Sequence, residues 1–250
     1  MPIEVNGQTV GDIQLNGNTI GEVQVDGTTV YTSVVPIPTN GLEIHLTVRD
    51  PNSYPGSGST WFDISGNNRD HFTNATFTQF DGVDAFDTYS NDRIVGFSES
   101  PTIASTYTYI GWAVETTESG TWRTLWRTEP DDHPLLVLSG GTAIGSYENG
   151  GSDFRSSGLD VVNDNARNNW TMYTVRGNSN NTMTFYLDRR RASGSIGENH
   201  VPGNRHDAFG GVDSGGQEFP YVGEMLLYNR ALADSEIDAV YDATAPFFQP

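Results

Sequence analysis

The sequence predicts an all-β protein: a sandwich of two antiparallel sheets, preceded by a small β-repeat module and followed by one short helix. Three observations support this fold class. Apolar and polar residues alternate through many short segments, as they do in half-buried strands. The 250 residues include 28 Gly and 12 Pro, which is typical of a chain with many turns. No segment before residue 233 has a convincing helical periodicity.

Residues 1–33 contain a ten-residue repeat that predicts three hairpins. Asn6-Gly7, Asn16-Gly17 and Asp26-Gly27 are each flanked by alternating apolar residues, and both residues of such pairs tolerate the positive φ of tight hairpin turns. About thirty residues without Cys bury too little surface to be stable alone. We therefore expect an anchoring or oligomerisation module. The alternative is a hairpin docked on the main domain.

Residues 34–40 are predicted to be a linker, because Pro36 and Pro38 interrupt strand pairing and keep the chain extended. The main domain then spans residues 41–250. Its strands are predicted from alternating apolar residues or from runs of aromatic and β-branched residues. They lie at residues 41–48, 106–114, 125–127, 135–138, 169–176, 182–188 and 221–228, and residues 193–220 are predicted to be a long loop.

The end of the chain predicts a strand, a tight turn and a short helix. Leu232 precedes the helix and Ile237 falls at its fourth position, which is the spacing of a hydrophobic staple. Glu236, at the third position, can reach back to the cap. Ala233 is the expected cap residue, and Asp234 is the alternative one residue later, because Ala has no side chain that can accept a hydrogen bond.

Three stretches resemble motifs of laminin-G-like domains, which are concanavalin A-like lectin–glucanase sandwiches. Residues 53–67 read S-Y-P-G-S-G-S-T-W-F-D-I-S-G-N, residues 80–86 begin with F-D-G, and residues 223–237 contain G-E, then Y-N-R-A-L and E-I. The resemblance covers residues 41–243 and implies a jelly-roll sandwich. The repeats in residues 1–33 resemble the N-termini of tailed-virus structural proteins, which implies a position on a virus particle.

The chain is strongly acidic and contains neither Cys nor Lys. Its 32 Asp and Glu residues face 13 basic residues, all Arg, for a net charge of -19. This composition resembles that of proteins from extreme halophiles, and it disfavours nucleic acid as a partner. Without Cys, disulfides and thiol chemistry are excluded. No apolar run approaches a membrane span, and no signal peptide is recognised, so we expect neither membrane insertion nor signal-directed export.

The carboxylate pattern of jelly-roll glycosidases is missing. Its E-x-D-x-x-E signature is matched only in part, at Glu236 and Asp238 on the predicted helix. Ser195, His200 and His206 have no nucleophile-elbow or metal-site spacing around them. The sequence therefore predicts a protein that is not an enzyme.

Calcium is the one cofactor that the sequence suggests. Asp63, Asp81 and Asp84 lie in the motif loops of the resembling family, whose rims bind Ca²⁺, and carboxylates are the hard ligands that this ion prefers. The alternative is that Asp63 and Asp81 bond backbone amides within their own turns.

Two further clusters are candidate contact residues. Arg189, Arg190 and Arg191 form the one basic run, which could pair with carboxylates of a neighbouring copy or could be a solvated turn. The aromatic residues are candidates for a platform on which sugar rings stack, or else for core positions. They are Trp122, Trp126, Tyr147 and Phe154.

The main functional hypothesis is a structural protein of a tailed virus with a halophilic host. Residues 1–33 would attach to other virion proteins or to further copies of the chain. The sandwich would face outward for decoration, tail or baseplate architecture, or attachment to host-surface glycans. A cellular carbohydrate-binding or adhesion module is the alternative, and a glycan hydrolase is the third reading.

Overall fold

The computed structural model describes residues 4–5, 8–9, 14–15, 18–19, 22–25, 28–32, 36–88, 93–96, 103, 105–116, 122–128, 132–148, 153–180, 182–192, 196–197, 208–210 and 219–249. The chain divides into two compact units, residues 1–37 and residues 38–250. The predicted linker at residues 34–40 includes the boundary between them.

The first unit contains three separate two-stranded antiparallel sheets. The pairs are β1 (Glu4–Val5) with β2 (Gln8–Thr9), β3 (Gln14–Leu15) with β4 (Asn18–Thr19), and β5 (Glu22–Val25) with β6 (Thr28–Thr32). Glu4 is opposite Thr9 and Gln14 is opposite Thr19, so the first two pairs repeat one register ten residues apart. The strand pairs predicted from the repeat are therefore present.

The second unit is a sandwich of two antiparallel sheets, and the predicted fold class is confirmed. Its strands are β7 (Leu42–Thr47), β8 (Thr60–Trp61), β9 (His71–Thr73), β10 (Thr76–Phe80), β11 (Val83–Asp87), β12 (Arg93–Gly96), β13 (Tyr107–Val114), β14 (Arg123–Thr128), β15 (Asp132–Val137), β16 (Ala143–Glu148), β17 (Asp153–Asp160), β18 (Thr171–Asn178), β19 (Thr182–Leu187), β20 (Arg190–Arg191), β21 (Ile196–Gly197), β22 (Ala208–Gly210) and β23 (Tyr221–Tyr228).

The first sheet has the order β10-β11-β23-β13-β18-β19-β20, with β7 also paired to β23 and β21 to β19. The second sheet has the order β17-β16-β15-β14-β22-β12-β9-β8. In the first sheet β13 runs along one side of β23, while β7 and the end of β11 share its other side. The strand predicted at residues 221–228 is thus the centre of this sheet, and its residues are buried from Val222 onward.

The hydrophobic core lies between the two sheets, where inward-facing residues of both form one cluster. The second sheet contributes large side chains that include Trp61 and Trp126, and the first sheet contributes Tyr109, Tyr173 and Phe185. Burial of aromatic side chains of this size is a principal source of stability in a sandwich. The core therefore fixes the two sheets face to face.

Helix α1 (Asp234–Phe248) covers the outer face of the first sheet. Its residues Ile237 and Val240 are buried. The indole of Trp112 on β13 stacks on Phe248, with ring centroids 5.0 Å apart, and its Nε1 donates a hydrogen bond of 2.7 Å to Thr244 Oγ1. Among the described residues, no helix is long and apolar enough to cross a lipid bilayer.

The start of α1 follows the predicted capping pattern. Ala233 is the N-cap, and its backbone N–H donates to Glu236 Oε2 at 2.8 Å. Arg230 donates two hydrogen bonds to the same carboxylate, which lower the pKa of Glu236 to about 2. Asp234, the alternative cap, is the first helical residue. The predicted short C-terminal helix is confirmed, and Pro246 falls in its last turn.

Candidate functional site

Four ring side chains lie close together on the outer face of the second sheet, on or next to the strands from β14 to β17. They are Trp122, which immediately precedes β14, His133 on β15, Tyr147 on β16 and Phe154 on β17. All four are partly exposed. We call this set the aromatic row.

Strand register brings the row together. His133 is opposite Tyr147, and Tyr147 is opposite Phe154. Directly opposed residues of an antiparallel pair point to the same face of the sheet. Since neighbouring strands are about 4.8 Å apart, the three register-paired rings on β15, β16 and β17 extend over about 10 Å. The line of rings is therefore longer than a single sugar ring.

The rings of the row contact one another. Trp122 lies between two partners, with centroids 5.0 Å from Tyr147 and 5.8 Å from Phe154, and the ring planes are tilted by 48° and 47°. The centroids of His133 and Tyr147 are 6.0 Å apart. These spacings are typical of favourable aromatic pairs. The row is thus a continuous surface of ring edges and faces.

Gly145 makes room for one end of the row. A Cβ atom at this position would lie 2.0 Å from the carbonyl oxygen of Arg155 and 2.9 Å from the ring of Phe154. The absence of a side chain therefore lets Phe154 and the β17 backbone approach β16 closely. Residue 145 must be glycine for the ring to keep this position.

Two side chains of β14, Thr124 and Arg123, fix residues of the row in place. Thr124 Oγ1 lies 2.9 Å from His133 Nδ1 and fixes the orientation of the imidazole. The next residue after Trp122 is Arg123, which is buried. Its Nη2 donates to the Gly141 carbonyl at 2.7 Å, and its Nε lies 3.1 Å from Glu115 Oε1. The segment that carries Trp122 is thereby anchored to two other parts of the fold.

The buried ion cluster around Arg123 lies at one edge of the core. Glu115 is fully buried and also accepts a hydrogen bond of 3.1 Å from Arg167 Nε. Burial lowers the pKa of Arg123, an effect that the Glu115 charge opposes. Burial raises the pKa of Tyr173, and the Glu115 charge acts in the same direction. The cluster is inaccessible, and its evident role is to fix β13, β14 and β18.

Trp126 takes the second of the two positions that the sequence analysis left open for it. The structure places it in the core, with its ring centroid 4.4 Å from that of Tyr109, and not in the aromatic row. The strand register shifts between Thr124 and Trp126, and the consecutive residues Leu125 and Trp126 both face inward. Such a bulge interrupts the alternation of inward-facing and outward-facing side chains along β14.

The three consecutive arginines pair within their own chain. Arg189 forms an ion pair with Asp242 and lies over the ring of Tyr241, with 4.9 Å from its Cζ to the ring centroid. Arg190 pairs with Asp164. Arg191 Nη1 lies 3.1 Å from Asp234 Oδ2. They link β20 to α1 and to the β17–β18 connection, so the carboxylates they contact here belong to the same domain and not to a neighbouring copy.

Asp63 has the role of a turn residue. Its Oδ1 accepts hydrogen bonds of 2.9 Å from the backbone N–H groups of His45 and Ser65. Its Oδ2 accepts the Ser65 hydroxyl at 2.8 Å and the Arg69 N–H at 3.0 Å. Four donors thus surround the carboxylate and tie the 63–69 loop to β7.

Asp81 and Asp84 belong to the hairpin of β10 and β11. Asp81 and Gly82 form its two-residue turn, with φ of 51° and 79°, as a type I′ turn requires. Asp84 Oδ1 accepts a hydrogen bond of 2.8 Å from Gln79. In the described part of the chain no group of three or more His, Asp or Glu residues is placed to hold a metal ion. Calcium binding by these residues stays a prediction.

Some candidate residues lie outside the described ranges, namely Ser195, His200 and His206. The sequence-based analysis also missed two residues of the site. These are Gly145 and His133. The sequence around Gly145 and Tyr147 has too short a pattern to predict a strand. His133 follows two acidic residues, and it becomes a candidate only when its register with Tyr147 is known.

No protein-family model and no curated protein sequence matches the chain. Solved structures do match. Trypanosoma rangeli sialidase in complex with sialic acid has a TM-score of 0.62 and 16% identity, over 92% of this chain and 37% of the sialidase. The botulinum neurotoxin serotype D ligand binding domain in complex with N-acetylneuraminic acid has a TM-score of 0.60 and 15% identity, over 82% and 52%.

The binding domain of Paraclostridial Mosquitocidal Protein 1 matches with a TM-score of 0.59 and 16% identity, over 82% of this chain and 52% of that domain. At these identities the likeness shows the fold, a concanavalin A-like, lectin-like sandwich. This chain spans about a third of the sialidase chain and half of the toxin domains.

The comparisons correct the prediction that the chain is not an enzyme. That prediction was wrong to exclude an activity on the ground of a missing glycosidase signature, because sialidases are among the structures that match. The match itself, at 16% identity and 37% of the sialidase chain, extends to the fold alone. The site must therefore be judged by its own chemistry.

Proposed function

We propose that the sandwich is a carbohydrate-binding module and that the aromatic row contacts the sugar. One observation carries this proposal: Trp122, His133, Tyr147 and Phe154 form a continuous, partly exposed group of rings on the outer face of the second sheet. Sugar rings have an apolar C–H face and a polar rim. The C–H face packs on aromatic rings, and burying both surfaces removes apolar area from water.

The position of the row on a sheet favours binding. The rings are held by cross-strand neighbours, by Gly145 and by the Thr124–His133 hydrogen bond. A surface whose side chains are already ordered loses little conformational entropy when a ligand binds. The sugar ligands named for two of the matching structures, sialic acid and N-acetylneuraminic acid, support the same class of function.

A glycan array tests this proposal. The full chain, Trp122→Ala and Phe154→Ala are compared with Phe247→Ala, which removes an exposed aromatic residue from α1 instead. We expect wild type and Phe247→Ala to bind the same glycans, and the two row variants to lose about tenfold or more in affinity, as when contact aromatics are truncated. Binding that survives both row substitutions, or no binding to any glycan, would overturn the proposal.

We also propose a display role for the sandwich on a virus particle, with residues 1–33 as the attachment module. The observation that favours it is the set of three two-stranded antiparallel sheets within residues 4–32. Two-stranded hairpins are marginally stable alone, so pairing with further protein, such as other virion proteins or more copies of this chain, would stabilise them. The acidic, Lys-free composition supports a halophilic host.

Light scattering in molar salt tests the self-association part of this second proposal. We expect the full chain to be oligomeric and residues 38–250 to be monomeric, because the hairpins hold the copies together. A monomeric full chain would contradict self-association through the repeats, whereas detection of the chain in purified virus particles would support the virion role directly.

A further inference from the structure

We propose that His133 is the polar contact of the aromatic row, and that its Nε2–H group donates a hydrogen bond to an oxygen atom of the bound sugar. This inference rests on the proposed function, and it assigns the residue that orients the ligand on the same surface. It follows from the surroundings of one buried hydroxyl group, that of Thr124.

Thr124 lies on the same face of the sheet as the row, yet it is buried. Its register partner on β15 is Leu136, which is opposite Gly145 on β16. Gly145 and Tyr147 are two residues apart in a stretch of regular pairing, so their side-chain positions share one face of the sheet. Only 1% of Thr124 is exposed. Its hydroxyl group is therefore out of contact with bulk water.

A buried hydroxyl group needs an acceptor for its hydrogen atom. Within the described part of the chain, Thr124 Oγ1 has one hydrogen-bond partner, which is His133 Nδ1 at 2.9 Å. The hydroxyl group therefore donates to Nδ1, and this nitrogen has to be the unprotonated acceptor. A neutral imidazole carries its one proton on the other nitrogen. We thus assign His133 as the Nε2–H tautomer.

The second nitrogen of this ring is directed away from Thr124. Nδ1 and Nε2 are separate positions on the imidazole, so a ring whose Nδ1 is directed at a buried group directs Nε2 elsewhere. His133 is partly exposed, and its ring centroid is 6.0 Å from that of Tyr147. The Nε2–H group is therefore a hydrogen-bond donor beside an aromatic ring on which the C–H face of a sugar can pack.

The row is chemically asymmetric as a result. Trp122 and Phe154 have centroids 5.8 Å apart and offer mainly apolar ring surface, whereas His133 adds a directional donor on β15. A few placed polar groups among apolar contacts are what fixes the orientation of a ligand. The ligand class is therefore a saccharide that places a hydroxyl, ring-ether or carbonyl oxygen over β15 while its C–H face covers the other rings.

NMR of the imidazole nitrogens tests the tautomer without any ligand. Long-range 1H–15N correlation spectra of the full chain at neutral pH, with the His133 signals assigned by their loss in His133→Gln, should show a protonated Nε2 and an unprotonated Nδ1. A proton on Nδ1 would overturn the inference, because Thr124 would then be the acceptor.

Calorimetry on the full chain measures the contribution of the donor, with sialyllactose, cellohexaose and chitohexaose as probes. The matched variants are His133→Gln and His133→Asn. Both lack the imidazole ring, but the longer side chain places its amide near the position of Nε2 and the shorter one near that of Nδ1. We expect His133→Gln to bind at least one probe about fivefold more tightly than His133→Asn, as for one net hydrogen bond.

Two further variants separate the donor from the ring and from its support. His133→Phe keeps an aromatic ring and should weaken the binding of the same probe about fivefold. Thr124→Val removes the hydroxyl group that orients the imidazole and should weaken binding about twofold or more, whereas Thr124→Ser keeps the hydroxyl and should bind as wild type does. Circular dichroism confirms that each variant is folded.

Trp122→Ala distinguishes failure of this inference from failure of the proposed function. If Trp122→Ala loses binding while all three His133 variants bind as tightly as wild type, the inference is overturned and the proposed function stands. A wild-type chain that binds none of the three probes would overturn both.

Discussion

The two outer faces of the sandwich carry similar aromatic residues that differ in burial. On the first sheet, Trp112 lies under α1, is fully buried and stacks on Phe248. On the second sheet, Trp122 contacts Tyr147 and remains partly exposed. The chain after β23 supplies the cover on one side. On the other side the aromatic row forms part of the surface.

This difference separates structural from functional aromatic residues. A buried ring contributes to stability through the area that it hides from water. A partly exposed row gains much less from folding, and exposed apolar area of this kind is typical of binding surfaces. The comparison predicts that substitutions on the two faces affect different measurements.

The largest expected effect comes from truncating the equivalent residue on each face. Trp112→Ala should lower the free energy of unfolding by about 3–5 kcal/mol, because it removes a buried ring and leaves a cavity. Trp122→Ala should cost about 1 kcal/mol or less and should weaken glycan binding about tenfold or more. Urea unfolding followed by circular dichroism measures both changes. Similar losses of stability in the two variants would remove the distinction between the faces.

Acidification should lower the free energy of unfolding through His71, which is buried in the second sheet. Burial lowers the pKa of His71 on β9 to about 4, so the folded chain keeps this imidazole neutral while the unfolded chain binds a proton near pH 6.5. Stability is therefore complete above pH 6.5 and falls as the pH decreases toward 4, by about 3 kcal/mol in total.

Urea midpoints at pH 7 and at pH 4.5 measure this decline. His71→Asn keeps a donor for the Arg69 carbonyl, which His71 Nδ1 contacts at 2.9 Å, but it does not titrate. The variant should lose clearly less stability between the two pH values than wild type. An equal loss in both proteins would assign the decline to other groups.

A smaller effect should follow from adding a side chain at Gly145, next to Phe154. Gly145→Ala places a methyl group against the Arg155 carbonyl and the Phe154 ring, and it should cost about 1–3 kcal/mol through overpacking. It should also weaken glycan binding by displacing one end of the row. Ser156→Ala is the matched control, since Ser156 is the exposed register partner of Gly145 on β17. Unchanged binding in Gly145→Ala would show that the position of Phe154 is unimportant.

Salt should have the smallest effect on stability, and this effect should not depend on which face of the sandwich is considered. A net charge of -19 repels itself less as the Debye length falls from about 10 Å at 0.1 M to about 3 Å at 1 M. The melting temperature in KCl should therefore rise by a few degrees over this range, with most of the rise below ~0.5 M. A flat profile would contradict the interpretation of the composition as halophilic.

Elements with strong local patterns could be predicted from the sequence. The strand at residues 221–228 is found with the predicted bounds, because its aromatic and apolar residues fit a buried strand. The start of α1 followed from Leu232, Glu236 and Ile237. In contrast, β16 and β17 contain Gly145, Gly158 and several serines, whose weak strand propensity gives no clear alternation.

The site depends on relations that are not local in the sequence. Trp122 and Trp126 are four residues apart, yet a register shift places one on the surface and the other in the core. The partners of the three arginines, Asp164, Asp234 and Asp242, become neighbours only through the fold. Strand register and bulges therefore decide which aromatic and charged residues meet, and sequence spacing alone does not determine them.

The central claim is that a glycan binds the open face and leaves the helix-covered face unchanged. NMR of the indole N–H groups tests it most directly, with the five Trp signals assigned by single Trp→Phe variants. On titration with a glycan that the chain binds, the Trp122 signal should shift, and the signal of Trp112, whose Nε1 donates a hydrogen bond to Thr244, should not. A shift of Trp112 or Trp170 with an unmoved Trp122 would contradict the claim.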